Sequence, residues 1–173
     1  PGKSSIDKIP TLRPAFRKDG TVTAASSSSI SDGAAATVLL SADEAGRRGL
    51  QPLARIVAHA THSQEPEWFT TAPIGAIRSV LGKAGWSLSD VDLFEINEAF
   101  AVVAMAPIRE LGIAHARVNV NGGACALGHP IGASGARLVV TLINALRKHG
   151  GKRGVASLCI GGGEATALAI ELI

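Results

Sequence analysis

Three short polar motifs each follow an apolar stretch that is typical of a buried strand. They are Asn97–Ala101 (NEAFA), the glycine-rich stretch Asn121–Arg137 with His129 at its centre, and Cys159–Gly163 (CIGGG). Together they supply an amide, an imidazole, a thiol and exposed backbone N–H groups. That set can remove a proton from carbon and stabilise the oxyanion that develops. Taken singly, each has a plainer explanation: a helix N-cap, a histidine packed in a turn, and an inert core cysteine.

The stretch Asn121–Arg137 is predicted to be a loop that joins a strand to a helix. It follows the β-branched segment Arg117–Val120, and apolar residues recur at helical spacing through Ala136–Lys148. Pro130 biases the backbone of His129 away from the α region. The free N–H groups and the positive dipole end of the following helix point back into this loop. A histidine held in this way suits the chemistry of an acyl group or an oxyanion.

The alternation of apolar segments predicts an α/β fold in the order β-α-β-α-β-α-β-β. We expect a layered, mixed but mainly parallel sheet with helices on both faces and an antiparallel final pair. Because ligands of open α/β sheets bind at the carboxyl ends of strands, the three motifs should meet at one edge. Apolar segments that fit strands lie at 34–40, 53–60, 91–96, 117–120, 155–160 and 165–173, and the main helical segments at 41–49, 72–83, 97–111 and 136–148, which is one strand and one helix more than this order contains.

Composition restricts the classes of protein that fit. The chain has 173 residues, of which 46% are hydrophobic, enough for one buried core. The net charge of +3 is scattered, which argues against nucleic-acid binding, and no apolar run reaches membrane-spanning length. Cys125 and Cys159 lie in apolar, glycine-rich surroundings, which favours free thiols and a cytoplasmic location. His59 and His62 have no acid or cysteine at ligand spacing, so no metal site is expected.

The first 31 residues differ from the rest. The segment 1–20 is polar and begins at Pro1, so we expect residues 1–31 to be the tail of a preceding region and residues 32–173 to form the domain. The hydroxyl-rich segment Thr21–Ser31 has two interpretations. It is either a flexible linker or a packed loop whose hydroxyls bind local backbone or a ligand.

The three motifs, in this order and spacing, resemble the C-terminal half of the thiolases. The resemblance spans essentially the whole chain and includes LRPAF and KDGTVTA near its beginning. It implies a thiolase-like C-terminal domain that takes part in Claisen condensation of two acyl-CoA molecules or thiolytic cleavage of a 3-ketoacyl-CoA. It also implies coenzyme A thioesters as substrates, no separate cofactor, an N-terminal thiolase half as partner, and a homo-oligomer.

The resemblance also implies a role for individual residues. His129 corresponds to the group that accepts the proton of the acyl-accepting cysteine and later donates to the thioester oxygen of the second substrate. Cys159 corresponds to the acid–base group at the α-carbon, and its thiol pKa is expected to be low. Asn97 corresponds to the residue that holds an oxyanion-hole water, and the N–H of Gly161 to a donor of the second hole. Residues that correspond to the pantetheine contacts are Ser28, Phe16 and Phe100.

Two positions depart from the family pattern. Ser26 stands where the family has asparagine in the serine-rich loop, and no residue matches the acyl-accepting cysteine. Cys125 is interpreted as packing, so the chain alone is expected to be inactive. Two alternatives remain from the sequence. A ketoacyl-synthase-like condensing enzyme would carry a second histidine in place of Cys159, and a non-catalytic domain would only bind acyl-CoA or a partner chain.

Overall fold

A computed structural model describes residues 5–173 and contains one four-stranded mixed sheet. Its strands lie in the order β1-β4-β3-β2. The strands are β1 Ala54–Ser63, β2 Leu93–Ile96, β3 Arg153–Cys159 and β4 Glu164–Leu172. The α-helices are α1 Ala42–Arg47, α2 Ala72–Ala84, α3 Ala101–Leu111, α4 Ala124–Leu127 and α5 Ser134–His149. Short 3₁₀ helices span Ile6–Thr11, Ala24–Ser26, Pro66–Thr71, Leu88–Asp90 and His115–Arg117.

Helices cover both faces of this sheet, as the sequence predicted. Helix α2 packs on one face, where its buried residues meet Phe94, Val155 and the alanines of β4. Helix α5 covers the other face through a stripe that contains Leu138, Leu142 and Leu146. The stripe repeats every four residues, so it lies on one side of the helix. Two separate hydrophobic cores therefore hold the sheet between α2 and α5.

The sheet is less parallel than the sequence analysis expected. β2 pairs with β3 in parallel, but β4 pairs antiparallel with both β3 and β1. A tight turn returns the chain from β3 into β4, and β4 then lies between β3 and β1. Because β4 runs against both neighbours, only one of the three pairings is parallel. The antiparallel final pair is confirmed.

Two of the predicted strands are not strands. Residues 34–40 form no strand, and Val38 and Leu39 are 89% and 69% exposed. Their apolar pattern is that of a strand, but within residues 5–173 no strand pairs with them. The segment 117–120 forms only one parallel bridge, from Val118 to Phe94. The cause is Asn119, whose φ of 49° interrupts the extended backbone.

The side chain of Asn119 takes over the pairing that the missing strand would have made. Its Oδ1 accepts a hydrogen bond from the N–H of Ile96, and its Nδ2 donates to the carbonyl of Ile96, both at 2.8 Å. Nδ2 also donates to Glu98 at 2.8 Å. The buried edge of β2 is thus satisfied by one side-chain amide rather than by a neighbouring strand.

The NEAFA motif begins as a loop rather than as a helix. The N–H of Asn97 donates to the carbonyl of Ser157 at 2.9 Å, which extends the β2–β3 ladder by one residue. Helix α3 starts only at Ala101, with Phe100 at its N-cap position. The prediction of a helix from Asn97, and the alternative that Asn97 is its N-cap, are both wrong. Asn97 is therefore free to serve the site.

Asn119→Ala should lower the free energy of unfolding of this chain by about 2–4 kcal/mol, because it leaves both polar groups of buried Ile96 without a partner. Asn119→Gly removes the same bonds but tolerates the positive φ, so its loss should be smaller by about 1 kcal/mol. Urea denaturation measures both values. If both variants lie within about 0.5 kcal/mol of the unmodified chain, this amide does not support the sheet edge.

Candidate active site

Asn97 and His129 meet at the carboxyl end of the sheet. Asn97 is fully buried, and its Nδ2 lies 3.2 Å from Nε2 of His129. The backbone of Asn97 is fixed by Ser157 on β3, while His129 lies on the loop before α5. The structure thus brings together an amide and an imidazole that are 32 residues apart in the chain.

The other ring nitrogen of His129 is held by the start of α5. Its Nδ1 lies 2.6 Å from Oγ of Ser134, and this Oγ lies 3.1 Å from the carbonyl oxygen of Pro130. Since a serine hydroxyl has one proton, donation to Pro130 leaves Oγ to accept from Nδ1–H. Nε2 then carries a lone pair that accepts from Asn97. Burial, and secondarily the charge of Arg137, lowers the pKa of His129, so the imidazole is neutral and able to accept a proton.

The serine-rich loop is packed between the two motifs. The N–H of His129 donates to the carbonyl of Ser29 at 2.9 Å. Ser28 donates to the carbonyl of Ala99 from its N–H at 3.1 Å and from its hydroxyl at 2.9 Å. At Gly128, where φ is +93°, a Cβ would lie 2.2 Å from Oγ of Ser31. Of the two interpretations of this segment, the packed loop is the one observed.

Glu98 joins the NEAFA motif to the glycine-rich stretch from the other side. Its carboxylate accepts from Asn119 at 2.8 Å and from the N–H of Cys125 at 3.2 Å. A Cβ at Gly123 would lie 2.1 Å from this carboxyl group, so any other residue there would displace the Glu98 carboxylate from its present position. Sequence reasoning missed Glu98, Asn119 and Ser134 as supports of the site. The sequence signal that could have found Glu98 is an acidic residue inside NEAFA together with the pair Gly122-Gly123 in the glycine-rich stretch.

Cys159 ends β3 at the same edge of the sheet. It lies two residues beyond Ser157, the residue that pairs with Asn97, and is only 8% exposed. Burial raises the pKa of its thiol to about 11. The expectation of a low thiol pKa is therefore wrong: desolvation outweighs the backbone N–H groups, and within residues 5–173 the sulfur makes no side-chain hydrogen bond. At neutral pH this thiol is protonated.

Gly161 lies in the tight turn between β3 and β4. The N–H of Gly163 donates to the carbonyl of Ile160 at 3.1 Å, which places Gly161 at the exposed corner. No group among residues 5–173 accepts a hydrogen bond from the N–H of Gly161. Gly163 has φ +101°, and a Cβ there would lie 2.3 Å from the carbonyl oxygen of Gln64. The backbone N–H of Gly161 is therefore free to donate to an anionic oxygen.

The three residues predicted to bind substrate lie close together. Phe16 and Phe100 pack edge to face with ring centroids 5.7 Å apart, and Ser28 bonds to Ala99 beside them. Phe69 also packs edge to face with Phe100, with ring centroids 6.4 Å apart, which the sequence analysis did not anticipate. Phe16 remains 72% exposed. The result is an accessible apolar surface next to the serine-rich loop.

Two further positions were singled out in the sequence analysis, Cys125 and Ser26. Cys125 is half-buried, and burial together with Glu98 raises the pKa of its thiol to about 11. A thiol of this kind is a poor nucleophile. Ser26, in place of the usual asparagine, accepts from the N–H of Thr23 at 3.0 Å and so caps its own short turn. The loop closes without the asparagine amide.

The chain is similar in sequence to proteins of one family. Residues 50–172 match the family description "Thiolase, C-terminal domain", and residues 2–43 match "Thiolase, N-terminal domain". An acetyl-CoA acetyltransferase of Chromobacterium violaceum is 54% identical over 168 residues, which cover 97% of this chain and 43% of the relative. A cytosolic acetyl-CoA acetyltransferase of Mus musculus is 53% identical over 170 residues, with coverage of 97% and 43%.

Solved structures show the same relation. The crystal structure of the Bacillus anthracis acetyl-CoA acetyltransferase superposes with a TM-score of 0.97 at 48% identity, covering all of this chain and 44% of that one. Human mitochondrial 3-ketoacyl-CoA thiolase in complex with CoA gives a TM-score of 0.92 at 40% identity, with coverage of 100% and 44%. The chain therefore spans less than half the length of these relatives. On sequence and structure together, it belongs to the thiolase family.

Proposed function

We propose that this chain supplies the acid–base half of an acyl-CoA thiolase, which condenses two acyl-CoA molecules or cleaves a 3-ketoacyl-CoA with coenzyme A. The observation that carries the proposal is the contact between Asn97 and His129, with protonated Cys159 at the same sheet edge. The relatives named acetyl-CoA acetyltransferases support acetyl-CoA as the substrate. The family match also favours a thiolase over a ketoacyl-synthase-like condensing enzyme.

The first step requires a cysteine that this chain does not carry. A thiol supplied by an N-terminal thiolase half loses its proton to Nε2 of His129 and attacks the thioester carbon of an acyl-CoA. The carbonyl oxygen becomes an oxyanion, and we assign the free N–H of Gly161 as a donor to it. The intermediate collapses to an acyl-enzyme and releases the coenzyme A thiolate. The Nδ1–H bond to Ser134 leaves Nε2 ready for the proton.

The second step concerns the α-carbon of another acyl-CoA. The thiolate of coenzyme A that leaves in the first step is a base able to take the proton of Cys159. Cys159 then removes the α-proton, and the resulting enolate attacks the acyl-enzyme. In the thiolytic direction, protonated Cys159 returns the proton to carbon. A pKa near 11 keeps the thiol protonated at rest, as the thiolytic direction requires, and makes its thiolate, once formed, a strong base.

The enolate oxygen needs donors while it forms. The amide of Asn97, acting through a water, and Nε2–H of protonated His129 are the groups that we assign to it. Each such donor lowers a barrier of this kind by about 3–4 kcal/mol. Both groups are rigidly held, Asn97 by its burial and His129 by Ser134, so little reorganisation is needed when charge develops.

The coenzyme A arm is assigned to the surface formed by Phe16, Phe100 and Ser28. The two rings offer an apolar wall, and the lone pairs of the Ser28 hydroxyl remain able to accept from an amide of the pantetheine. Phe69, which packs edge to face with Phe100, adds a third ring to this apolar surface. The solved complex of a human thiolase with CoA supports a coenzyme A site in a protein of this fold. No other cofactor is required by these steps.

An N-terminal thiolase half is the partner that the surface implies. Val38 and Leu39 are exposed in the segment 34–40, which falls within the match to the N-terminal domain. Val102 and Met105 are exposed on α3. We assign 34–40 to a strand in the sheet of that partner half, and the assembled protein to a homo-oligomer. None of the helices in residues 5–173 is long and apolar enough to cross a membrane, and the cytosolic mouse relative supports a cytoplasmic location.

The isolated chain should have no thiolase activity, because it has no acyl-accepting cysteine. A graft in which this chain replaces the matching region of the Bacillus anthracis enzyme should be active. Acetoacetyl-CoA thiolysis by the chain, the graft and the unmodified enzyme measures this. Turnover by the chain alone would contradict the division of the site. A folded graft that binds coenzyme A without turnover would favour the non-catalytic alternative.

In that graft, Cys159→Ala should still form the acyl-enzyme but should lose exchange of the α-protons and condensation. His129→Ala should impair both steps, because one imidazole serves the nucleophile and the enolate oxygen. The loss of an oxyanion donor alone costs about 10²–10³ in rate, and the loss of the base as well should cost more. Labelled acetyl-CoA traps the acyl-enzyme, and deuterium exchange at the acetyl methyl follows the second step. Normal exchange in Cys159→Ala would show that another group is the base.

A further inference from the structure

Arg137 lies directly behind the pair formed by Asn97 and His129. It belongs to the first turns of α5, and its Nη2 donates to Oδ1 of Asn97 at 3.5 Å. Its Nη1 lies 3.5 Å from Oε2 of Glu95, a residue of β2 that is only 1% exposed. Neither oxygen of Glu95 accepts a hydrogen bond from any group in residues 5–173. Arg137 therefore pairs with a buried carboxyl group on one side and contacts a site residue on the other.

The contact with Asn97 has only one possible direction. A guanidinium group donates hydrogen bonds and cannot accept them. It therefore requires the oxygen of the Asn97 amide, rather than the nitrogen, to face it. The Nδ2 of Asn97 is then forced towards His129, where it can donate only if Nε2 of the ring carries a lone pair. The proton of the neutral imidazole must accordingly be on Nδ1.

The hydrogen bonds on the Nδ1 side of His129 lead to the same tautomer. Nδ1–H donates to Oγ of Ser134, whose own proton goes to the carbonyl oxygen of Pro130. Donors and acceptors thus run in one direction from Arg137 to Pro130. Without Arg137 the amide of Asn97 could rotate by 180°, and its oxygen would then accept a hydrogen bond from Nε2–H. In that reversed state Nε2 could not act as a base.

We propose that Arg137, anchored by Glu95, is a positioning residue that sets the amide orientation of Asn97 and thereby the tautomer of His129. Only the catalytic consequence of this inference, the ability of Nε2 to act as a base, rests on the proposed function. The hydrogen-bond direction itself is a property of this chain. Burial raises the pKa of Glu95 to about 7, and the charge of Arg137 opposes that rise. At pH 8 Glu95 is therefore mostly ionised and supplies the opposite charge beside the partly buried Arg137.

The charges around His129 leave Arg137 as the one that acts on the ring. Glu95 on β2 is paired with Arg137, and Glu98 on the following loop is bonded to Asn119 and to the backbone of Cys125. The charge of Arg137 contributes to the lowered pKa of His129, after burial. Removal of that charge should therefore raise the pKa of the ring.

Nitrogen-15 NMR of the chain at pH 8 tests the tautomer directly, because protonated and unprotonated ring nitrogens differ widely in chemical shift. The chain has five histidines, and loss of one signal set in His129→Asn identifies the ring. The unmodified chain should show the Nδ1–H form. Arg137→Met should show a mixture with the Nε2–H form and a higher titration midpoint for His129. Arg137→Met with the unmodified tautomer and midpoint would overturn the proposal.

Three controls separate positioning from simple loss of structure. Arg78→Met removes an exposed arginine that is paired with Glu110, and it should change neither the tautomer nor the midpoint. Arg137→Lys keeps a donor-only cation and should keep the Nδ1–H form, so the same mixture in Lys and Met variants would count against the proposal. If Arg137→Met does not fold, the double variant Glu95→Gln/Arg137→Met is used in its place. It removes both charges of the pair, and the same mixture of tautomers is expected.

Kinetics in the graft separate failure of this inference from failure of the proposed function. Arg137→Met should lower kcat about tenfold with KM nearly unchanged, a smaller loss than the 10²–10³ expected for direct loss of an oxyanion donor. The acid limb of the rate profile should also move to higher pH, since the ring must be neutral to act as a base. An altered tautomer in an active graft with unchanged kcat would refute the positioning role. An inactive unmodified graft would leave the NMR result standing and refute the proposed function.

Discussion

The parallel pairing of β2 with β3 is the constraint on which the site depends. It places the ends of both strands at one edge of the sheet, so Asn97 and Cys159 leave the sheet side by side. The bond from the N–H of Asn97 to the carbonyl of Ser157 carries the pairing one residue past β2 and buries the Asn97 side chain. Since β4 pairs with the other side of β3, β2 is the outer strand of the sheet. The loops that complete the site can therefore pack beside β2.

Three loops are then fixed to that edge by polar contacts rather than by further strands. Glu98 reaches the glycine-rich stretch at Gly123, Ser28 and Ser29 connect Ala99 to His129, and Asn119 satisfies the backbone of Ile96. Gly128 has a positive φ that favours glycine, and a Cβ at Gly123 would displace the Glu98 carboxylate. A site built in this way is rigid before any ligand arrives, which is what electrostatic stabilisation of an oxyanion requires.

The sequence predicted the elements whose signal is local. The helical stripe of α5 was recognisable from apolar residues at four-residue spacing, and the turn before β4 from three consecutive glycines. The predicted strand at 34–40 failed because an apolar, β-branched run looks the same whether or not a partner strand lies beside it. The short segment at Asn119 failed because a side-chain amide replaced the backbone ladder, which no periodicity reveals.

The residues of the candidate site also fall into those that the sequence predicted and those that it did not. Residue types and order identified Asn97, His129, Cys159 and Gly161, and the structure brings them to one edge, but their roles remain proposals. The pKa of Cys159 could not be predicted, because the sequence shows the nearby glycines but not the depth at which the sulfur is buried. The supports of His129 were missed for a related reason. Ser134 and Arg137 act through distances and donor directions that only the folded chain defines.

The central claim is that Asn97 and His129 work as one unit. A double-mutant cycle in the Bacillus anthracis graft tests this most directly, with kcat/KM for thiolysis measured for Asn97→Ala, His129→Ala and the double variant. If the two groups stabilise the same oxyanion, the double variant should lose little more than the worse single variant. Losses that multiply, as for independent sites, would contradict the account.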